Sequence, residues 1–129
     1  LRWNPSEVLP LNKWVRLTAI RDRKSKTLTL LADGKVVATK KFAAMPQAAP
    51  SNGDIVIMAR NSFFLKATLS DLKIWNSVLT EKDLDKNSIV PEPETQRDLV
   101  GYWQFDDIKK GIIVDLSRAK RNGKITKVK

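Results

Sequence analysis

Acid–base chemistry in this chain of 129 residues would have to rest mainly on carboxylates, because the chain contains no histidine and no cysteine. Their absence excludes imidazole catalysis, thiol nucleophiles, Ser-His-Asp triads, zinc fingers and disulfide frameworks. Carboxylates remain, and glycosidic bond hydrolysis needs two of them about 5–10 Å apart. Glu92 and Glu94 flank prolines in a predicted loop, and the adjacent Asp106 and Asp107 would point to opposite faces of a strand. The sequence therefore predicts no catalytic site.

Oxygen ligands for a metal ion are concentrated near the C-terminus. Calcium takes about six to eight oxygens, and the candidates are Asp106, Asp107, Asp115, Ser117 and Asn122. Three of the four residues at 118–121 are cations, however, and these repel a divalent ion. The sequence thus predicts no metal and no other cofactor, with Asp115 hydrogen-bonded to its own turn. A calcium site is the alternative.

Exposed aromatic rings could bind a ligand by stacking, with neighbouring amides and carboxylates serving its hydroxyl groups. Trp3, beside Asn4 and Pro5, is the best candidate for an exposed ring. A second candidate is Asn61-Ser62-Phe63-Phe64, a predicted loop in which Asn61, Phe63 and Phe64 would contact the ligand. The alternative for this loop is packing at the edge of a sheet.

The net charge is +10, from 24 basic and 14 acidic residues. Two basic runs contribute most of it, and neither contains an aromatic residue that could stack on a nucleic-acid base. They are Arg21, Arg23, Lys24 and Lys26, and Arg118, Lys120, Arg121, Lys124, Lys127 and Lys129. These runs form either a solvated surface or a face that binds anions such as acidic glycans, lipopolysaccharide or nucleic acid. No motif for specific nucleic-acid recognition is present.

The elements that position these residues alternate with a period of two, which is typical of β-strands. Trp14 to Ile20 predicts a first strand, in which Val15, Leu17 and Ala19 share one face. A polar hairpin loop at Arg21 to Lys26 leads to a second strand, Thr27 to Leu31. Asp33-Gly34 supplies the positive φ angles of a tight turn into a third strand, Val36 to Phe42. The result is an antiparallel meander.

The remaining segments continue the same pattern. Asp54 to Ala59 is almost wholly apolar and predicts a central or doubly buried strand. At Thr80 to Leu84, Thr80 and Asp83 indicate a capping box and one or two helical turns. Further strands are predicted at Leu69–Trp75, Val100–Phe105 and Gly123–Val128, with an extended segment at Pro91–Glu94. No apolar run approaches the roughly 20 residues that span a bilayer. Together these segments predict an all-β antiparallel sandwich with one short helical turn.

Several segments together resemble a known superfamily. The most specific is Leu69 to Thr80, which reads Leu-Ser-Asp-Leu-Lys-Ile-Trp-Asn-Ser-Val-Leu-Thr, and the Asp33-Gly34-Lys35 hairpin precedes it. In this order they resemble the laminin-G-like, pentraxin-like branch of the concanavalin A-like lectin/glucanase superfamily. The resemblance implies a jelly-roll β-sandwich in which Trp14, Trp75 and Trp103 pack the interior.

The C-terminal segment departs from the usual order of that superfamily. Leu99 to Asp107, followed by Val114-Asp115-Leu116-Ser117, resembles the opening of such domains but comes last here. We expect residues 1–129 to form a single, permuted or incomplete sandwich in which 99–129 supplies the closing strands, since so short a segment is too small for a second core. The alternative is a second module that begins near residue 98. The chain is expected to be part of a larger protein.

The resemblance implies a non-catalytic carbohydrate-binding or adhesion module of a secreted, periplasmic or cell-surface bacterial protein. The expected partner is a glycan or a domain of the parent protein, with no specific nucleic acid and no transmembrane segment. One alternative is a structural domain that docks on its parent enzyme without binding a glycan. Another is a basic module that binds anionic polymers. The oligomeric state and the ligand are left open, because this fold hosts many functions.

Overall fold

The computed structural model describes residues 10–44, 53–60, 63–64, 66–86 and 88–126 of the chain. The chain divides into two compact units, Leu1–Ala49 with Val78–Asn87 and Pro50–Ser77 with Ser88–Lys129. Nearly all regular elements in the described ranges are antiparallel β-strands, accompanied by one short α-helix and one 3-10 helix. The all-β class predicted from the sequence is confirmed. Within these same ranges, no helix has the length and apolar character to cross a bilayer.

The first unit is built on a three-stranded antiparallel meander, as the alternating sequence predicted. Its strands β1 (Leu17–Asp22), β2 (Thr27–Ala32) and β3 (Lys35–Lys41) are neighbours in chain order. β1 begins later than predicted and continues to Asp22, inside the predicted loop. A β-bulge between Leu30 and Leu31 shifts the register between β2 and β3.

The turn between β2 and β3 has the geometry that its sequence predicts. Asp33 has φ of 48° and Gly34 has φ of 79°, and a two-residue type I′ hairpin turn requires positive φ at both positions. The turn is also bonded to the residues before β1. Asp33 Oδ1 accepts a hydrogen bond from Arg16 N at 2.8 Å, and Asp33 N donates to Arg16 O at 2.9 Å. It therefore fixes the segment that leads into β1.

The two faces of β1 differ in burial from what the sequence suggested. Leu17 and Ala19 share a face as predicted, but both are exposed. Thr18 and Ile20 alternate with them and are half-buried, and Thr18 pairs with the buried Leu31. Both faces of β1 carry apolar side chains, so alternation alone cannot select the inner one.

A short helix, α1 (Glu81–Lys86), belongs to the same unit. The Thr80 hydroxyl accepts a hydrogen bond from Asp83 N at 3.2 Å, and Asp83 Oδ2 accepts one from Thr80 N at 3.0 Å. This reciprocal pair is the predicted capping box, and it satisfies two backbone donors at the helix start. The hydrogen bonds from Thr80 also lower the pKa of Asp83 below its ordinary value of 3.8.

The described part of the second unit contains three antiparallel strand pairs. They are β4 (Ala59–Arg60) with β5 (Phe63–Phe64), β6 (Asp71–Trp75) with β7 (Leu99–Gln104), and β8 (Ile112–Ile113) with β9 (Gly123–Lys124). A 3-10 helix at Pro93–Thr95 replaces part of the predicted extended segment, because Glu92 adopts a left-handed conformation with φ of 48°. β7 thus brings the C-terminal segment beside β6. The assignment of residues 1–129 to a single domain stays a prediction.

The predicted buried strand at Asp54 to Ala59 is wrong. Residues 53–57 form no strand, and Ile55 and Val56 are 72% and 68% exposed. Met58 has φ of 64°, in a left-handed region that interrupts an extended chain. Strand structure therefore begins only at Ala59. Composition predicted an extended and buried segment, whereas the backbone conformation at Met58 prevents a continuous strand.

The buried core of the second unit is small and centred on β7. Leu99 and Tyr102 are 2% and 3% exposed, and Val90 joins them at 6%. Trp75 and Leu116 pack against this cluster. The resemblance implied an interior position for Trp75, and the structure shows it half-buried and packed against this core.

Candidate functional site

The structure does not describe the side chains of the four residues predicted to bind a ligand. Trp3 and Asn61 lie outside the described residues. For Phe63 and Phe64 the structure describes the backbone, which forms β5 and pairs with β4 instead of the predicted loop. Ligand contact by these four residues stays a prediction.

Trp14 is an exposed aromatic side chain, which corrects the interior position expected for it. Its exposed fraction is 69%, and it lies in the irregular segment before β1. The side chain follows no strand alternation there, so nothing directs it toward the interior. Trp103 differs, because it is half-buried and its indole covers Gly101 on β7. Trp14 is thus a solvent-accessible indole.

The chain on the C-terminal side of Trp14 is anchored by Arg16. Besides its backbone bonds to Asp33, its guanidinium forms an ion pair of 2.6 Å with Asp85 and donates to Leu84 O at 3.4 Å. These contacts join the start of β1 to α1. The turn at Gly34 also lies close to α1, since a Cβ on Gly34 would be 3.3 Å from Glu81 Oε1. The Arg16 guanidinium, two residues after Trp14, is therefore paired with the Asp85 carboxylate, and such groups can hydrogen-bond hydroxyl groups.

A row of polar side chains crosses β6 and β7, and it was not predicted from the sequence. Asp71 pairs with Gln104 and Lys73 with Tyr102, so that all four share one face. Asp71 and Lys73 form an ion pair. The Lys73 ammonium lies 4.8 Å from the centroid of the Tyr102 ring, within cation–π range. Gln104 Nε2 donates a hydrogen bond to the Tyr102 hydroxyl at 2.8 Å.

Lys73 is held firmly within this row. Its ammonium also donates to Ser88 O at 3.0 Å, and its side chain is 14% exposed. Burial raises the pKa of Tyr102 above its ordinary value of 10.0, and the negative charge of Asp71 adds to the rise. The phenol is therefore neutral at physiological pH. Asp71 and Gln104 are the exposed members of the row, and they are the two able to reach a ligand.

Asp115 organises the turn after β8. It is fully buried, and its Oδ1 accepts hydrogen bonds from Tyr102 N at 3.0 Å and Ser117 N at 2.9 Å. Its Oδ2 accepts one from Arg121 N at 2.8 Å. Asn122 Oδ1 in turn accepts from Asp115 N at 3.0 Å. The predicted bonding of Asp115 to its own turn is confirmed.

This bonding also bears on the predicted absence of calcium. Both carboxylate oxygens of Asp115 point at backbone N–H donors, an arrangement suited to a carboxylate that organises a turn and unlike the oxygen cage of a calcium site. Asp107 pairs with Lys109 at 3.0 Å. Within the ranges that the structure describes, no three or more aspartate or glutamate side chains are grouped so as to hold a metal ion together.

The hydrogen bonds of Asp115 are expected to make the free energy of unfolding vary with pH in the acidic range. Burial acts to raise the pKa of Asp115, but the hydrogen bonds from Tyr102, Ser117 and Arg121 outweigh it, so the pKa lies below 3.8. A carboxyl whose pKa is lower in the folded state stabilises the fold above its unfolded pKa, and this contribution is lost as pH falls through the folded value. We expect the free energy of unfolding, measured by urea titration, to be steady near neutral pH and to fall below about pH 4.

Asp115→Asn provides the comparison for this titration, because an amide cannot ionise. Its free energy of unfolding should start lower and should fall less steeply in acid than that of the wild type. Equal acid slopes for the two proteins would show that other carboxyls, such as Asp22 and Asp83, whose pKa values are also lowered by hydrogen bonds, account for the whole effect.

Comparisons with known proteins identify a matching family and a structure with a similar fold. The Laminin_G_3 model, of the concanavalin A-like lectin/glucanases superfamily, matches residues 2–85. The structure is similar to the crystal structure of a putative carbohydrate binding protein from Bacteroides ovatus ATCC 8483, with a TM-score of 0.72 at 18% sequence identity. This similarity covers 95% of the present chain but 37% of that chain. Among curated proteins, none matches the sequence.

The structural similarity concerns the fold, since the identity is low. It agrees with the antiparallel, jelly-roll-type β-sandwich that the sequence predicted. The family match rests on the sequence and includes the meander, the Leu69–Thr80 motif and most of α1. Because residues 2–85 are well over half of the 129, the chain belongs to the concanavalin A-like lectin/glucanases superfamily.

Proposed function

We propose that this chain is a non-catalytic carbohydrate-binding module that stacks a sugar ring on Trp14. The observation that carries the proposal is the 69% exposure of this indole, because an exposed indole offers an apolar face on which a pyranose ring can stack. Membership of a lectin-containing superfamily supports it, as does the similarity to a putative carbohydrate binding protein. As part of the same proposal, the module belongs to a secreted or surface bacterial protein.

Polar groups close to Trp14 in the chain suit this role. A pyranose presents an apolar face to an aromatic ring and hydroxyl groups around its edge, and hydroxyls need donors and acceptors in fixed positions. The Arg16–Asp85 pair provides both and is joined to the Asp33 turn and to α1. Rigid polar groups lose little conformational entropy when a ligand binds.

Binding of neutral polysaccharides tests the proposal. Native affinity electrophoresis with a β-glucan, a xylan and a mannan should show retardation by at least one polymer. Trp14→Ala should weaken the binding of that polymer by at least tenfold, because truncation of an aromatic anchor commonly costs about 2 kcal/mol or more. Leu11→Ala is the matched control, since Leu11 is 84% exposed in the same segment, and it should bind like the wild type.

Other results of this experiment would contradict the proposal. Absence of retardation by all three polymers, or wild-type affinity in the Trp14→Ala protein, would reject Trp14 as the sugar-binding residue. Release of reducing ends from a bound polymer would reject the non-catalytic assignment. Circular dichroism of both variants should match the wild type, because neither side chain is buried.

The exposed apolar segment at residues 55–57 favours a second candidate function, a structural domain that docks on its parent protein. Ile55, Val56 and Ile57 are 72%, 68% and 41% exposed, and an apolar run of this kind is typical of a protein–protein contact. Under this alternative the chain binds none of the three polymers, and Ile55→Ser with Val56→Ser lowers its tendency to associate in gel filtration. The polymer experiment therefore separates the two functions.

A further inference from the structure

We propose that residues 118–121, here called the cationic turn, form a separate binding site for acidic polysaccharides through Arg118, Lys120 and Arg121. All three side chains are exposed, and they belong to the second unit. The carboxylate or sulfate groups of the polymer would be the contacted chemistry. This site does not depend on Trp14 or on the function proposed for it.

The backbone of the cationic turn is held at its C-terminal end, Arg121, and from within, at Ala119. Arg121 N donates to Asp115 Oδ2 at 2.8 Å, and Arg121 O accepts from the indole Nε1 of Trp103 at 2.9 Å. Inside the turn, Ala119 N donates to the hydroxyl of the buried Ser117 at 3.2 Å. A turn fixed in this way presents its side chains from a constant position, so less entropy is lost when an anion binds.

The charge around the cationic turn is strongly one-sided. Residues 109–124 contain six basic residues and one acidic residue, and the acidic one is Asp115. Its carboxylate is buried and satisfied by backbone donors, so it makes no ion pair with the exposed cations. The surface therefore carries a local positive potential that attracts polyanions.

The three cations have no acidic partner in the described part of the chain. The ion pair found in this region joins Lys109 to Asp107 at 3.0 Å. Lys120 Nζ makes a long contact of 3.4 Å to Leu116 O. The guanidinium groups of Arg118 and Arg121 can therefore each offer paired N–H donors to a carboxylate or sulfate without first breaking a salt bridge.

Several features favour an acidic polysaccharide over other polyanions. The cationic turn contains no aromatic residue, and the nearby Trp103 has its indole N–H bonded and its ring over Gly101, so no platform stacks nucleic-acid bases. The cations project from a turn, not from the amphipathic helix typical of a membrane-surface anchor. Asn122, exposed beside the turn, uses its Oδ1 for Asp115 N, so its amide N–H groups are the part that could donate to hydroxyl groups of a sugar.

The test compares charge-matched variants of the full chain by isothermal titration calorimetry. Polygalacturonate and heparin are the acidic probes, dextran is the neutral probe, and duplex DNA is the competing polyanion. Arg118→Gln, Lys120→Gln and Arg121→Gln are combined in one protein. Arg23→Gln, Lys24→Gln and Lys35→Gln are combined in the control, which loses the same charge from exposed positions of the first unit.

We expect the turn variant to lose at least tenfold in affinity for an acidic probe in 50 mM salt, and the control to lose less than about threefold. Wild-type affinity should fall steeply as salt rises, and the turn variant should show a shallower dependence because fewer counterions are released. The turn variant and the control both keep Trp14, so a difference between them reports on the cationic turn alone, and failure of this site is distinguishable from failure of the Trp14 proposal.

A third protein tests the fixed geometry while all charges stay in place. Trp103→Phe removes the indole hydrogen bond to Arg121 O, and we expect a several-fold loss of affinity if its circular dichroism is unchanged. Equal losses in the turn variant and the charge-matched control would overturn the proposal, as would absence of binding to both acidic probes. Duplex DNA binding as tight as either acidic polysaccharide would overturn the assigned ligand class.

Discussion

Replacing Asp115 by alanine is expected to lower the free energy of unfolding by about 3–5 kcal/mol. The substitution leaves three backbone donors without their acceptor, at Tyr102, Ser117 and Arg121. An unsatisfied buried donor costs about 1–3 kcal/mol, and Asp115 has no exposed surface through which water could replace it without rearrangement. The loss would remove a large part of the stability of an average domain.

The measurement is urea unfolding at pH 7, followed by tryptophan fluorescence and circular dichroism. Asp107→Ala is the matched control, since this carboxylate is exposed and its ion pair with Lys109 lies at the surface, where such pairs contribute at most about 1 kcal/mol. Asp115→Asn should fall between the two, because its amide keeps one acceptor but directs a donor at Arg121 N. If Asp115→Ala unfolded at the same urea concentration as Asp107→Ala, the network would not contribute to stability.

The meander could be predicted from the sequence because its signals are local. Asp33-Gly34 specifies positive φ at adjacent positions, and the alternating residues on both sides specify strands. The Thr80–Asp83 capping box is equally local, because both partners lie within one helical turn. In each case the interacting residues are close in the chain, so that the pattern contains all the information needed.

Burial could not be predicted as well, because it depends on which layer covers a strand. The apolar run at residues 55–57 has the composition of an interior strand, yet it is exposed and is followed by the left-handed Met58. Trp14 was expected inside through its family position, but it precedes β1 and stays in solvent. In both cases the sequence contains the chemical character of the residue but not the path of the backbone.

In the candidate sites, too, contacts within one turn could be predicted from the sequence, whereas contacts between strands could not. Asp115 and Ser117 were identified from a short motif, and their hydrogen bonds lie mostly within the same turn. The Lys73–Tyr102 contact joins two strands about thirty residues apart, and it requires the register of β6 against β7. The alternation in Asp71-Leu72-Lys73-Ile74 indicates one polar face of β6, but no signal in the sequence gives its partner on β7.

Replacing Gly101 by alanine is expected to destabilise the second unit by about 2–3 kcal/mol. A Cβ at this position on β7 would overlap the outer carbons of the Trp103 indole and would lie 3.0 Å from Cζ2. The indole must then move, and its movement breaks the hydrogen bond to Arg121 O. Gly123→Ala in β9 is the matched control, because its Cβ would make an ordinary contact of 3.6 Å with Ile113 Cβ, and we expect a change within about 0.5 kcal/mol.

A double-mutant cycle distinguishes this overlap from a general cost of alanine at position 101. Trp103→Ala alone should destabilise the protein by about 2–3 kcal/mol, because it uncovers the strand and removes the indole hydrogen bond. If the overlap is the cause, adding Gly101→Ala to Trp103→Ala should cost little further, giving a coupling energy of about 2 kcal/mol in urea unfolding. Additive effects would mean that an alanine at position 101 does not meet the indole, and that its cost has another source.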